Sequence, residues 1–97
     1  MVNDISELIN RRRRQILIHS AIYYELNDNI IDDRTWLKWA LELVDLQKKY
    51  PEIAERCVYA EEFRDFDGST GFHLPINNEE ILNKATELLN TYKRTRG

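Results

Sequence analysis

Three groups of side chains carry the types and spacing that could do chemistry. Arg11, Arg12, Arg13 and Arg14 form the most basic run in the chain. Two or three guanidinium groups held together would grip a phosphate or an acidic partner through paired hydrogen bonds. Tyr23, Tyr24, Asp33 and Trp36 bracket an acidic bend, and exposed Tyr, Trp and Arg are the residues that dominate interface energetics. Asp65, Asp67, Ser69 and Thr70 lie in the one long irregular stretch, 64–77, where most turn-forming residues collect. Long loops in compact domains are often functional.

The plain alternatives are visible beside each group. Four consecutive helical residues fan through about 300°, because each advances by about 100°. At least one of the four arginines must therefore lean inward, leaving a solvated face plus a structural pair. The loop fails its sharp readings. An EF-hand needs glycine at the sixth position and glutamate at the twelfth, but Gly68 is fourth counting from Asp65 and the twelfth residue is Ile76. An Asp-x-Asp-Gly nucleophile would sit at the end of a buried strand, which Glu61, Glu62, Phe63 and Arg64 do not make. Gly68-Ser69-Thr70-Gly71 could offer N–H groups to an anion, yet no P-loop lysine follows. The loop then reads as a structured turn anchored by Phe63, Phe66 and Phe72. His73 reads as a loop hydrogen-bonder, since no cysteine or second histidine is spaced to share a metal with it. The one cysteine, Cys57, reads as a small core residue that suits a reducing compartment.

These groups are positioned by helices. Ninety-seven residues with three glycines and two prolines, 42% hydrophobic and 32% charged, predict one all-α domain spanning 1–97. Ile5, Leu8, Ile9, Ile16, Tyr23 and Leu26 recur near the helical period after a cap at Asn3 or Asp4, predicting a helix over about 4–26. Asn27, Asp28 and Asn29 make a turn, and Asp32 or Asp33 caps a second helix over about 33–50. Trp36, Trp39, Ala40, Leu43, Leu46 and Tyr50 form its apolar side, widened by Leu37, Leu41 and Val44. So short a connection requires an antiparallel hairpin. Pro51 opens a short third helix, about 51–62. Asn77 or Asn78 caps a last helix over about 78–94, with Ile81, Leu82, Ala85, Leu88, Leu89 and Tyr92 as its stripe. Net charge is −3, so the overall field favours neither nucleic acid nor an anionic membrane. No stretch approaches the roughly 20 apolar residues that cross a bilayer. The expected setting is the cytoplasm.

Tyr23-Tyr24, Ile31-Asp32-Asp33, Trp36, Leu41, Leu43, Leu46 and Tyr50-Pro51-Glu52 together resemble the N-terminal helical hairpin of bacterial NAD-dependent DNA ligases, over about 8–53. In that family the hairpin closes over NAD and holds its nicotinamide mononucleotide half while a lysine of the next domain attacks. The resemblance matches Tyr23 to the family's first aromatic, Asp33 to its aspartate and Trp36 to its tyrosine. Tyr24 replaces the usual histidine, and Leu37 replaces the aspartate after the tyrosine. The lysine motif Lys-x-Asp-Gly is missing; Asp65-Phe66-Asp67-Gly68 has aspartate where lysine is needed, so ligation by this chain alone is excluded on chemistry. The Phe66 to Phe72 loop is similar to that of small ligase-like phage proteins, which implies a phage-type origin and, in a phage setting, the host cytoplasm.

Three classes of function follow. The leading one is a non-catalytic accessory protein, with no cofactor or metal, whose hairpin face binds a host, replication or defence protein. The alternative is a weak module for NAD or nicotinamide mononucleotide, with Tyr23 and Trp36 stacking on the ring and Asp33 accepting a hydrogen bond. The third is DNA binding through Arg11 to Arg14 and the cationic tail. No nucleophile with its base, no metal cluster and no paired acid/base carboxylates are spaced for catalysis.

Overall fold

A computed structural model of the chain describes residues 2–68 and 74–96. Among the described residues there are four helices and no strand: α1 Val2–Tyr24, α2 Asp33–Lys49, α3 Pro51–Arg56 and α4 Glu79–Arg96. Contacts between α1 and α2 pair Ser20 with Trp36, His19 with Trp39 and Arg13 with Gln47. Numbers falling on one helix as they rise on the other define an antiparallel hairpin. α1 packs against all three other helices, which explains why Ile9, Ile16, Leu17, Ala21 and Ile22 are fully buried. Ala40, Leu43, Phe63, Ile81 and Ala85 complete the core from the other elements.

The caps follow from local chemistry. Asp32 Oδ1 accepts from the Thr35 N–H at 2.8 Å and is the N-cap of α2, so Asp33 is the helix's first residue. Pro51 stands at the start of α3, where its missing N–H costs nothing. Asn78 Oδ1 accepts from the N–H groups of Glu80 and Ile81 at 2.9 and 3.3 Å. Asn27 takes the left-handed conformation, φ 53°, that closes α1.

Three expectations are corrected. α1 already includes Asn3 and Asp4, which are therefore not its cap. Leu37 and Leu41 are 46% and 52% exposed, and Tyr23 and Tyr50 are also exposed, because the partner helices cover a narrower sector than the apolar pattern spans. α3 ends at Arg56 rather than near residue 62. The helix gives way where the Cys57 backbone turns extended, at φ −84° and ψ 165°, and the turn beyond is held by Arg13. Its side chain is 2% exposed; Nη1 donates to the carbonyls of Ala54 at 3.0 Å and Val58 at 2.8 Å, while Nε and Nη2 donate to Gln47 Oε1 at 3.0 and 2.8 Å. Gln47 Nε2 in turn donates to the Phe63 carbonyl at 3.1 Å. Asn10 Oδ1 accepts from the Val58 N–H at 2.9 Å, so Val58 is held at both backbone groups. The Cys57 N–H still closes a tight turn on the Ala54 carbonyl at 3.2 Å, and Tyr59 just beyond adopts φ 60°. Cys57 is buried between α1 and α3, its Sγ 3.6 Å from Ser6 Oγ.

Gly68, at φ 85°, lies against α2, where a Cβ would come within 3.3 Å of Leu41 Cδ2. Near the bend His19 packs on Trp39, centroids 5.5 Å apart. Burial holds its pKa below the ordinary histidine value of 6.5.

Two outcomes follow. Arg13→Met removes the donor to Gln47 Oε1 and to the Ala54 and Val58 carbonyls, and urea unfolding monitored by helical dichroism is expected to lose about 3 kcal/mol. Arg11→Ala and Arg14→Ala, both at exposed positions, are expected to stay within about 0.5 kcal/mol of the parent. For His19, the unfolded chain holds the proton more tightly than the folded one, so stability is complete above the ordinary pKa and falls as pH drops below it. The urea midpoint should be lower at pH 5.5 than at pH 7.5, and the difference should shrink in His19→Phe. Asp28 and Asp32, whose pKa values are lowered, lose their contribution only in the more acidic carboxylate range, so the two windows are separate.

Candidate functional site

The last turn of α1, the bend and the first turn of α2 enclose a cavity of about 310 Å³ lined in part by Tyr23, Tyr24, Asp33 and Trp36. The hairpin geometry brings these four sequence candidates together. Tyr23 and Tyr24 meet edge to face, centroids 4.9 Å apart at 86°, and the same pair also borders a shallower groove with Asn27, Asp28 and Asn29. Tyr23 is 54% exposed, so its ring stands at the mouth. Trp36 is half-buried: its Nε1 donates to Ser20 Oγ at 3.2 Å, and its ring meets Phe66 edge to face at 6.4 Å. Phe66 leans in turn on the buried Phe63, 5.1 Å away. One wall of the cavity is thereby anchored to the core.

Carboxylates give this end its charge. Asp28 Oδ1 accepts from the Asn29 N–H at 2.8 Å, and its Oδ2 lies 3.2 Å from Lys93 Nζ of α4. The backbone bond from Asn29 and then the Lys93 contact hold its pKa below the ordinary carboxylate value. Hydrogen bonds from Thr35 do the same for Asp32. Because Asp32 performs the capping, the exposed Asp33 carboxylate is left with no hydrogen bond or ion pair among the described residues. Aromatic walls beside an unengaged carboxylate can hold a planar ring through its face and accept from its polar edge. Tyr24 and Leu37 line the same space, which is correspondingly more apolar than the pattern it resembles.

His19 also lines this cavity, and the sequence reading passed over it. The signal was present: His19 precedes Tyr23 by four residues, so both project from one face of α1. Ser20, Ile30 and Ile31 belong to the lining as well.

The arginine run is divided. Arg13 is spent inside the protein. Arg12 lies 5.7 Å from the Trp39 centroid, donates to Gln15 Oε1 at 2.7 Å and places Nε 3.4 Å from Glu42 Oε1. Arg11 and Arg14 are exposed along a shallow groove of α1 that includes Glu7 and Asn10. None of the four lines the hairpin cavity. Of the loop candidates, Asp65 and Asp67 do not line it and are exposed beside the stretch that crosses α2; Ser69, Thr70 and His73 lie outside the described residues. Among the described residues, no three histidine, cysteine or carboxylate side chains are placed to share a metal ion, and no helix is long and apolar enough to cross a membrane.

No known family profile matches the chain, and no solved structure matches it. Fifty residues are 42% identical to the DNA ligase of Pseudothermotoga lettingae, 42% to that of Petrotoga mobilis and 36% to that of Thermotoga petrophila. Each match covers 52% of this chain. The chain spans only 7% to 8% of the length of these curated relatives. Half of the chain is thus similar to the N-terminal part of bacterial DNA ligases.

Proposed function

We propose that this chain is a non-catalytic, ligase-related binding module whose hairpin cavity takes the nicotinamide end of nicotinamide mononucleotide or NAD. The observation that carries the reading is the convergence of Tyr23, Tyr24, Asp33 and Trp36 on one cavity of about 310 Å³. That volume stands at the small end of ligand pockets, which run from about 300 to 1,000 Å³. It suits a ring with its sugar better than a whole dinucleotide. Tyr23 and Trp36 supply the aromatic walls, Asp33 accepts from an amide or ribose hydroxyl, and the acidic mouth favours a positively charged ring over an anionic one.

A second reading has its own observation. Leu37 and Leu41 of α2 and Tyr23 of α1 are exposed, and exposed large apolar and aromatic side chains suit a protein partner. DNA binding has less support, since Arg12 and Arg13 are engaged within the fold and leave Arg11 and Arg14 on that face. The phage-type setting implied by the loop rests on that resemblance alone.

The test is a titration with nicotinamide mononucleotide, NAD and AMP followed by amide NMR shifts. Saturable shifts around Tyr23, Asp33 and Trp36 are expected for the two nicotinamide ligands and not for AMP. Asp33→Ala should weaken that binding about tenfold, a loss of about 1.4 kcal/mol of affinity, with its thermal midpoint unchanged. Asp32→Ala should instead lower the midpoint, because it removes the cap. No shift at millimolar nicotinamide ligand would overturn the proposal and direct the work to the exposed leucines of α2.

A further inference from the structure

His19 meets the cavity from the α1 side, and the pattern that matched Tyr23, Asp33 and Trp36 assigns it nothing. Its ring is held by the 5.5 Å contact with Trp39. Its Nδ1 is shut off from solvent without a hydrogen-bond partner among the described residues. Nε2 also lacks a partner there, but it is not among the buried unpartnered atoms. His19 lines the cavity, and Nε2 is its one ring nitrogen that is not shut off from solvent.

Two polar groups beside it are partly engaged. Ser20 Oγ accepts from Trp36 Nε1, and Asp32 Oδ1 accepts from Thr35 N–H. The Asp33 carboxylate at the exposed rim and the His19 ring have no hydrogen bond among the described residues. A half-buried imidazole packed at a tilt of 56° against Trp39, with one nitrogen open and no partner, has the form of a ligand contact.

Resting on the reading of this cavity as a small-molecule site, we propose that His19 is a ligand-binding and specificity-determining residue, its Nε2 bonding the polar substituent of a planar ring. The substituent it takes is uncharged and amide-like. Burial keeps the imidazole neutral near pH 7, so it offers no charge to a carboxylate, and Asp32 and Asp33 repel one.

The test uses the intact chain at pH 7.5, titrated calorimetrically with nicotinamide mononucleotide and with nicotinic acid mononucleotide. The parent is expected to prefer the amide at least tenfold. His19→Phe keeps the contact with Trp39 but removes both nitrogens, and should weaken amide binding about tenfold. His19→Gln, whose amide reaches the Nε2 position, should recover most of the loss; His19→Asn, reaching only as far as Nδ1, should not. Unchanged affinity in folded His19→Phe overturns the role of His19 while leaving the cavity reading intact. Should His19→Phe fail to fold, the Gln and Asn pair decides, and equal binding by both overturns the proposal. Failure of the parent to bind either mononucleotide overturns both readings together.

Discussion

A charged side chain placed inside a small helical protein must have all of its donors answered, and Arg13 organises this molecule through that requirement. Its acceptors are an amide from α2 and two backbone carbonyls from α3 and the turn beyond. The Phe63 ring lies 5.7 Å from the guanidinium carbon. Burial lowers its pKa, while the more distant Cys57, Glu55 and Glu62 raise it, so charge balance comes from dipoles and from carboxylates at longer range. The arrangement admits one register of the hairpin. Sliding α2 by one residue along α1 would leave Gln47 off the guanidinium and strand a charge, a cost that apolar packing alone would not impose.

That register is felt at the far end of the hairpin. With α1 and α2 locked at Arg13 and Gln47, Ser20 meets Trp36 and His19 meets Trp39, so the walls of the cavity inherit their spacing from a polar cluster two to three turns away. The bend is secured separately, by the Asn27 backbone, by Asp28 bound to Asn29, and by Lys93 arriving from α4. The C-terminal helix therefore props up a site to which it contributes no lining residue among those described. A ligase-like hairpin is closed here by a C-terminal half that adds Phe63, Ile81, Ala85 and Leu89 to the hairpin's own core.

Much of this was legible in the sequence, because it depends on neighbours. The helical periods, Pro51 at the head of α3, Asn78 as a cap and the bend at Asn27 are local effects, and the aromatic and acidic spacing around the bend led to the cavity. What stayed hidden depended on distant partners. Fanning four arginines around a helix says that one must turn inward, but only the carbonyls of Ala54 and Val58 decide that it is Arg13. α3 likewise stops short of what Val58 and Phe63 suggested, where the Cys57 backbone turns extended. Asp32 and Asp33 are equivalent as letters, and the extended backbone at Asp32 assigns the cap to it. Leu37 and Leu41 continue an apolar pattern that the described residues cover only in part, so periodicity placed them inside. His19 shared a helix face with Tyr23 in plain view; a lone histidine carries no signal until its surroundings are known.

The distribution of tryptophan has a spectroscopic consequence. Trp36 and Trp39 are the two tryptophans of the chain, and both lie in the first two turns of α2 against the second half of α1. The Arg13 cluster, α3 and α4 contain none. Tryptophan emission therefore watches one tip of the molecule, whereas far-ultraviolet dichroism sums over every helix. The two signals divide the protein between the hairpin end and everything that supports it, and their superposition during unfolding is the measure of whether those parts melt as one unit.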